Sequence, residues 1–165
     1  LSGIAELGIL SVPPIHQNNF DVLFRRKEKI VCVTAENSIF LKGTTTPTLP
    51  ELAECPLCLS TGCHLMMSKI FAEKSIRPQI LSICTTRTTA LRWAEDDCGV
   101  SIVPMEPKEK LPEGLIAKAI TGVDTDLYKT VVRVKGRPLS VVAKKFLQFY
   151  SDVRDSERMI KIKDL

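Results

Sequence analysis

The chain has 165 residues, 44% of them hydrophobic and 25% charged. That length holds one domain or two small lobes with a real core, and the balance excludes a disordered chain. A net charge of +4 and 5% aromatic residues are too little, and too dispersed, for a nucleic-acid surface or a base-stacking platform.

The first predicted element is a short apolar strand, Ile4 to Leu10, ended by the turn Ser11-Val12-Pro13-Pro14. Phe20 to Ala35 carries a long strand signal whose centre, Ile30-Val31-Cys32-Val33, is apolar on both faces, as a buried strand requires. Its charged start, Arg25 to Lys29, reads as the solvated end of that strand and not as a basic patch. Ser38 to Pro50, with Gly43 and three consecutive threonines, is a connector. A helical turn follows at Leu49 to Glu54, then a buried strand at Pro56 to Leu59 and a turn at Ser60-Thr61-Gly62. The next helix spans His64 to Lys74, with Met66/Ile70 and Met67/Phe71 as four-residue pairs on a core-facing side.

Gln79 to Cys84 is again an apolar strand, followed by a hydroxyl-rich turn, a helix, Gly99 and the strand Val100–Val103 closed by Pro104. Strand, helix and buried strand in this order form a β-α-β crossover, which favours a parallel sheet with sites at its strand ends. Lys108 to Gly114 is a charged loop, and Leu115 to Thr121 and Tyr128 to Val134 read as strands. Ser140 offers an N-cap for a last helix, Val141 to Asp152, buried through Val142, Phe146, Leu147 and Phe149. The tail 153–165 is mixed in charge and expected to be loosely held.

No apolar run approaches the roughly 18–20 residues that cross a bilayer, and LSGIAELGILSVPP lacks the basic and long apolar regions of a secretory signal. Three of the six cysteines, Cys32, Cys58 and Cys84, lie in apolar strand-like runs, where a thiol acts as a small hydrophobe. A reduced, cytoplasmic protein is therefore expected, with no membrane partner. Cys55-Pro-Leu-Cys58 near Cys63-His64 has some zinc-ligand character, but Cys58 falls mid-strand and no second knuckle follows, so no metal or cofactor is expected. Cys63 with His64 or His16 makes a poor nucleophile-base pair, because adjacent residues point apart at a turn; no catalytic residue is assigned.

The order of motifs resembles the effector-binding domain of LysR-type transcriptional regulators. Gly3-Ile4-Ala5-Glu6-Leu7-Gly8-Ile9 is similar to that family's G-x-hydrophobic-D-hydrophobic-G/A-I strand, with Glu6 where Asp is usual. Glu28 to Val33 resembles its E-x-L-V-L-V crossing strand. Thr48 to Leu52 followed by Cys55 to Leu59 resembles the start of its second lobe. Gly99 to Pro104 is similar to its glycine-led apolar strand, and Arg137-Pro138-Leu139-Ser140 with Ala143 and Phe146 to its R-x-L-S-x-x-A-x-x-F helix start.

The resemblance implies an α/β, type 2 periplasmic-binding-protein-like fold, with two Rossmann-like lobes joined by hinge strands near Val33–Ala35 and Thr130–Val132. Lobe I would be residues 1–34 plus 131–165 and incomplete, and lobe II residues 35–130. The family's winged helix-turn-helix, linker helix and first β-α units have no counterpart in these residues, so DNA contact would come only through that missing domain. A small-molecule effector between the lobes and a homo-oligomeric regulator are the partners implied.

Strand-end turns supply the expected ligand contacts. Ser60, Thr61 and Cys63 lie where a strand passes into a helix, whose amides and dipole favour a carboxylate or phosphate. Either Ser60 or Thr61 also has the chemistry to cap that helix itself. Thr85 and Thr86 end the next strand, with Arg87 either a counter-charge or a solvated helix-start residue. Pro104 ends the third, and Ser11 and Pro13 end the first-lobe strand. Two other readings stay open. One is a redox sensor of the same family built on Cys63, weakened by Ala72 standing where such sensors carry their resolving cysteine. The other is a fragment of a solute-binding protein.

Overall fold

The longest element is β2 (Phe20–Ala35), and it begins in one of two compact units and ends in the other. The computed structural model describes residues 5–11, 17–154 and 160–161. The first unit comprises Leu1–Lys27 with Tyr128–Leu165, the second Glu28–Leu127.

In the first unit, β1 (Leu7–Leu10) pairs antiparallel with β7 (Asp126–Val134), Leu7 opposite Arg133 and Leu10 opposite Thr130. Arg133 Nε donates to Asp21 at 3.0 Å, and the Arg25 guanidinium lies 3.6 Å from the Tyr128 ring centroid. The last helix, α4 (Val141–Arg154), is N-capped as expected: Ser140 Oγ accepts from Ala143 N at 3.1 Å. Its packing differs from expectation. Val142, Phe146 and Phe149 are 77%, 41% and 68% exposed, while Ala143, Leu147 and Tyr150 turn inward, with the Tyr150 ring tilted against that of buried Phe24 at 5.8 Å between centroids. The helix carries two apolar stripes one residue, or about 100°, apart. The Ser140 cap and the Phe24 contact decide which stripe is buried.

The second unit is built on a sheet in which β2 pairs antiparallel with β6 (Leu115–Ala119) on one side and β5 (Val100–Met105) on the other. The sheet continues in parallel through β3 (Pro56–Ser60) to the edge strand β4 (Gln79–Cys84). Helices α1 (Leu49–Ala53) and α2 (Thr61–Glu73) contribute Leu52, Met67 and Phe71 to one core, against Ile30, Leu57 and Ile102. Helix α3 (Arg87–Glu95) packs Ala90, Leu91 and Ala94 on the opposite face, against Val33, Cys84 and Val103. Both faces of the central strands are thus covered, which is why they read as unbroken apolar runs. The predicted β-α-β crossover is β4-α3-β5. Its Gly99 is required by contact: a Cβ there would sit 2.5 Å from the Pro56 carbonyl oxygen.

Two boundaries beside the strand ends move. Helix α2 starts at Thr61 and not at His64, because Ser60 is extended and the helical backbone begins directly after it. Strand β5 runs through Pro104 to Met105, opposite Ile30 and Lys29. Proline costs no ladder bond there, since the Ile30 N–H points away from β5 to Thr125 O at 2.9 Å. Within the charged start of β2, Glu28 is buried and not solvated. Among the described residues, no helix is long and apolar enough to cross a membrane.

Candidate functional site

Parallel pairing of β5, β3 and β4 brings their carboxyl ends to one end of the second unit's sheet, and α2 and α3 begin there. Ser60, the last residue of β3, is opposite Cys84, the last of β4. Thr61 Oγ1 donates to the Cys84 carbonyl oxygen at 2.9 Å and ties the two strand ends together. Thr61, Thr85 and Thr86 are exposed, and Pro104 is half-buried at the end of β5.

The two helix starts differ in one chemically useful way. Thr86 Oγ1 accepts from Thr89 N at 3.1 Å and so caps α3. Ser60 occupies the N-cap position of α2 without making a side-chain cap bond. Its hydroxyl lies instead 3.4 Å from the Cys63 sulfur. The first-turn amides of the 13-residue α2 therefore lack a side-chain acceptor from Ser60, at the positive end of the helix dipole.

Cys63 departs from expectation. Its thiol is fully buried, 3.1 Å from Ile102 O and 3.3 Å from Ser60 O. Burial pushes its pKa up, outweighing the hydrogen bonds from Ser60 that pull it down. The whole residue belongs to the core and has no accessible surface to offer a ligand at this turn. The same burial disfavours the thiolate on which peroxide chemistry or nucleophilic attack depends. Ser60 is likewise buried, at 3% exposure.

Arg87 is neither solvated nor open: its guanidinium is paired with Glu109, both side chains 29% exposed. Glu109 also accepts from Glu106 N at 3.0 Å, which folds the segment after β5 back toward the α3 start. Sequence reasoning took that segment as a plain charged loop. The spacing of Glu106 and Glu109 just past a strand end was the available signal.

Ser11 lies half-buried in a bend after β1, in the first unit, while Pro13 and His16 lie outside the described residues. Among the described residues, no group of three or more His, Cys, Asp or Glu side chains is arranged to hold a metal ion.

The sequence matches the family model of the LysR substrate binding domain over residues 1–155. No curated protein sequence matches it. Among solved structures, the effector binding domain of QuiR in complex with shikimate superposes with a TM-score of 0.73 at 21% identity, covering 92% of this chain and 73% of that one. The CcmR regulatory domain of Synechocystis PCC6803 in complex with 2-PG gives 0.76 at 15% identity, over 93% and 76%. Full-length CbnR complexed with its target DNA gives 0.70 at 19% identity, over 94% of this chain but 54% of that one. The fold is therefore that of the LysR effector-binding domains, type 2 periplasmic-binding-protein-like.

Proposed function

The chain belongs to the LysR substrate-binding domain family, and from that premise we propose that it is the effector-sensing part of a transcriptional regulator and not an enzyme. The ligand is a small organic anion held at the strand ends of the second unit. The observation that carries this is the α2 start, where Ser60 leaves first-turn amides without its side-chain cap beside the exposed hydroxyls of Thr61 and Thr85. Such amides at a helix N-terminus are natural donors to a carboxylate or phosphate. The similar QuiR and CcmR domains were solved with shikimate and 2-PG, which supports a small-molecule ligand.

We read lobe I as residues 1–34 with 131–165 and lobe II as 35–130; in support, the chain divides into two compact units that change over after Lys27 and after Leu127, a few residues before each of those bounds. Strands β2 and β7 pass between the units and are the proposed hinge. A ligand that binds one arrangement of the lobes more tightly shifts the population toward it, and that shift is the regulatory output. The regulator is proposed to be a cytoplasmic homo-oligomer that reaches DNA through a separate domain; full-length CbnR, 54% of which is covered by this chain, was solved in complex with its target DNA.

Thermal-shift screening against small organic acids and amino acids tests the site. Acids that raise the melting temperature should lose that effect in the Thr61→Ala/Thr85→Ala double variant. Hits that stabilise the double variant as well as the parent would remove the ligand from this end of the sheet.

A further inference from the structure

The connector after β2 encloses a depression of about 560 Å³ at the opposite end of the second unit's sheet. Because β2 is antiparallel to β5, with Val33 opposite Ser101 and Lys29 opposite Met105, Thr34 and Ala35 lie toward the amino end of β5. The strand ends at Ser60 and Pro104 lie at the other. The floor comes from one face of β2 and β6, where Thr34 is opposite Ile116 and Cys32 opposite Lys118. Residues 36–45 form the rim.

That rim is tied down before any ligand arrives. Glu36 N donates to Gly114 O at 2.8 Å, Thr44 N to Leu41 O at 3.1 Å, and Thr121 N to Pro47 O at 2.9 Å. Leu41 and Gly43 both have positive φ, at 53° and 75°, which turns the chain sharply around Lys42. Lys118 Nζ donates to Leu41 O at 2.8 Å, which fixes its ammonium at the wall. An ammonium has three donors, so this bond leaves Lys118 further protons to offer. Lys42 adds a second, exposed lysine, and Thr44 and Thr45 also line the depression. Glu36 is the one acid in the lining, so cations outnumber anions two to one there. Phe40 and Ile116 supply an apolar wall. The volume lies within the range of ordinary small-molecule sites.

We propose that this depression is a second ligand site, separate from the strand-end site, that takes a small organic carboxylate. The carboxylate meets Lys42, Lys118 and the Thr44 and Thr45 hydroxyls, and the apolar body rests on Phe40 and Ile116.

Amide chemical-shift titration of the full chain with hexanoate, against the neutral isostere hexanamide, tests it. Saturable shifts at Gly43, Thr44, Thr45 and Ile116 are expected, with hexanamide about fivefold weaker, the worth of two exposed ion pairs. Lys42→Met, on the exposed rim, should weaken hexanoate without disturbing the spectrum elsewhere, and Lys42→Met/Lys118→Met should weaken it further. The Thr61→Ala/Thr85→Ala variant should bind as the parent does. Silence of these amides at saturating hexanoate, equal binding of acid and amide, or indifference to Lys42→Met would overturn the proposal. Loss of the shifts in Thr61→Ala/Thr85→Ala would show that the two sites are not separate, and would overturn it equally.

Discussion

At the scale of single residues, burial decides the thiol chemistry. Desolvation pushes the pKa of Cys32 up to about 12 and of Cys58 up to about 11, and it raises Cys55 and Cys63 as well. All six cysteines are free, and Cys98 alone is exposed. A thiolate-selective reagent such as DTNB at pH 8 is therefore expected to titrate one thiol quickly in the native chain and six after unfolding. Cys98→Ser should abolish the fast phase. A fast phase surviving in Cys98→Ser but lost in Cys63→Ser would restore the redox reading that the buried thiol opposes. The sequence placed Cys63 at a helix start, where a dipole lowers a thiol pKa. It did not show that the side chain folds inward onto Ile102.

At the scale of elements, two helix starts depend on a carboxylate. Thr48 and Glu51 form a capping box on α1, with Glu51 N to Thr48 Oγ1 at 3.4 Å and Thr48 N to Glu51 Oε2 at 2.7 Å. At α4 the acid comes from far along the chain: Glu6 accepts from both Ser140 N and Ser140 Oγ at 2.7 Å. These bonds hold the Glu6 and Glu51 carboxyls below the ordinary carboxylate value of 4.5. A lowered folded pKa means stability fully present above the unfolded value and lost as pH falls through the folded one. Glu6→Gln and Glu51→Gln are thus each expected to lower the urea midpoint at pH 7, and the gap to the parent should narrow below about pH 4.5. A gap unchanged at pH 3 would show that the carboxylate charge contributes nothing to these caps. The Glu51 partnership has a local signal in the Thr48-x-x-Glu51 spacing, which reading Leu49 to Glu54 simply as a helical turn passes over. The Glu6 partnership spans 134 residues and has no sequence signal.

At the scale of the whole molecule, protection should follow coverage of the sheet. Strands β2, β3 and β5 hold side chains with no exposure at all, among them Ile30, Val33, Leu57, Cys58 and Ile102, whereas α4 leaves Val142 and Phe149 largely in solvent. Native-state hydrogen exchange is expected to be slowest at Ile30–Val33, Leu57–Leu59 and Val100–Val103, and distinctly faster in α4. Equal protection of α4 and β3 would mean that the helix is held by more than Ala143, Leu147 and Tyr150. The sequence by itself determined the alternation of strands and helices, the β-α-β unit, the family and which strand-end turns gather in the second unit. Apolar runs, turn residues and motif order are local properties, and they survive without knowledge of contacts. Only the tertiary structure decided which stripe of α4 is buried, that Arg87 is held by Glu109, that Cys63 belongs to the core, and that the connector after β2 encloses a lysine-lined depression. Each of these depends on a partner far along the chain or on the rotation of an element about its own axis, and a linear pattern carries neither.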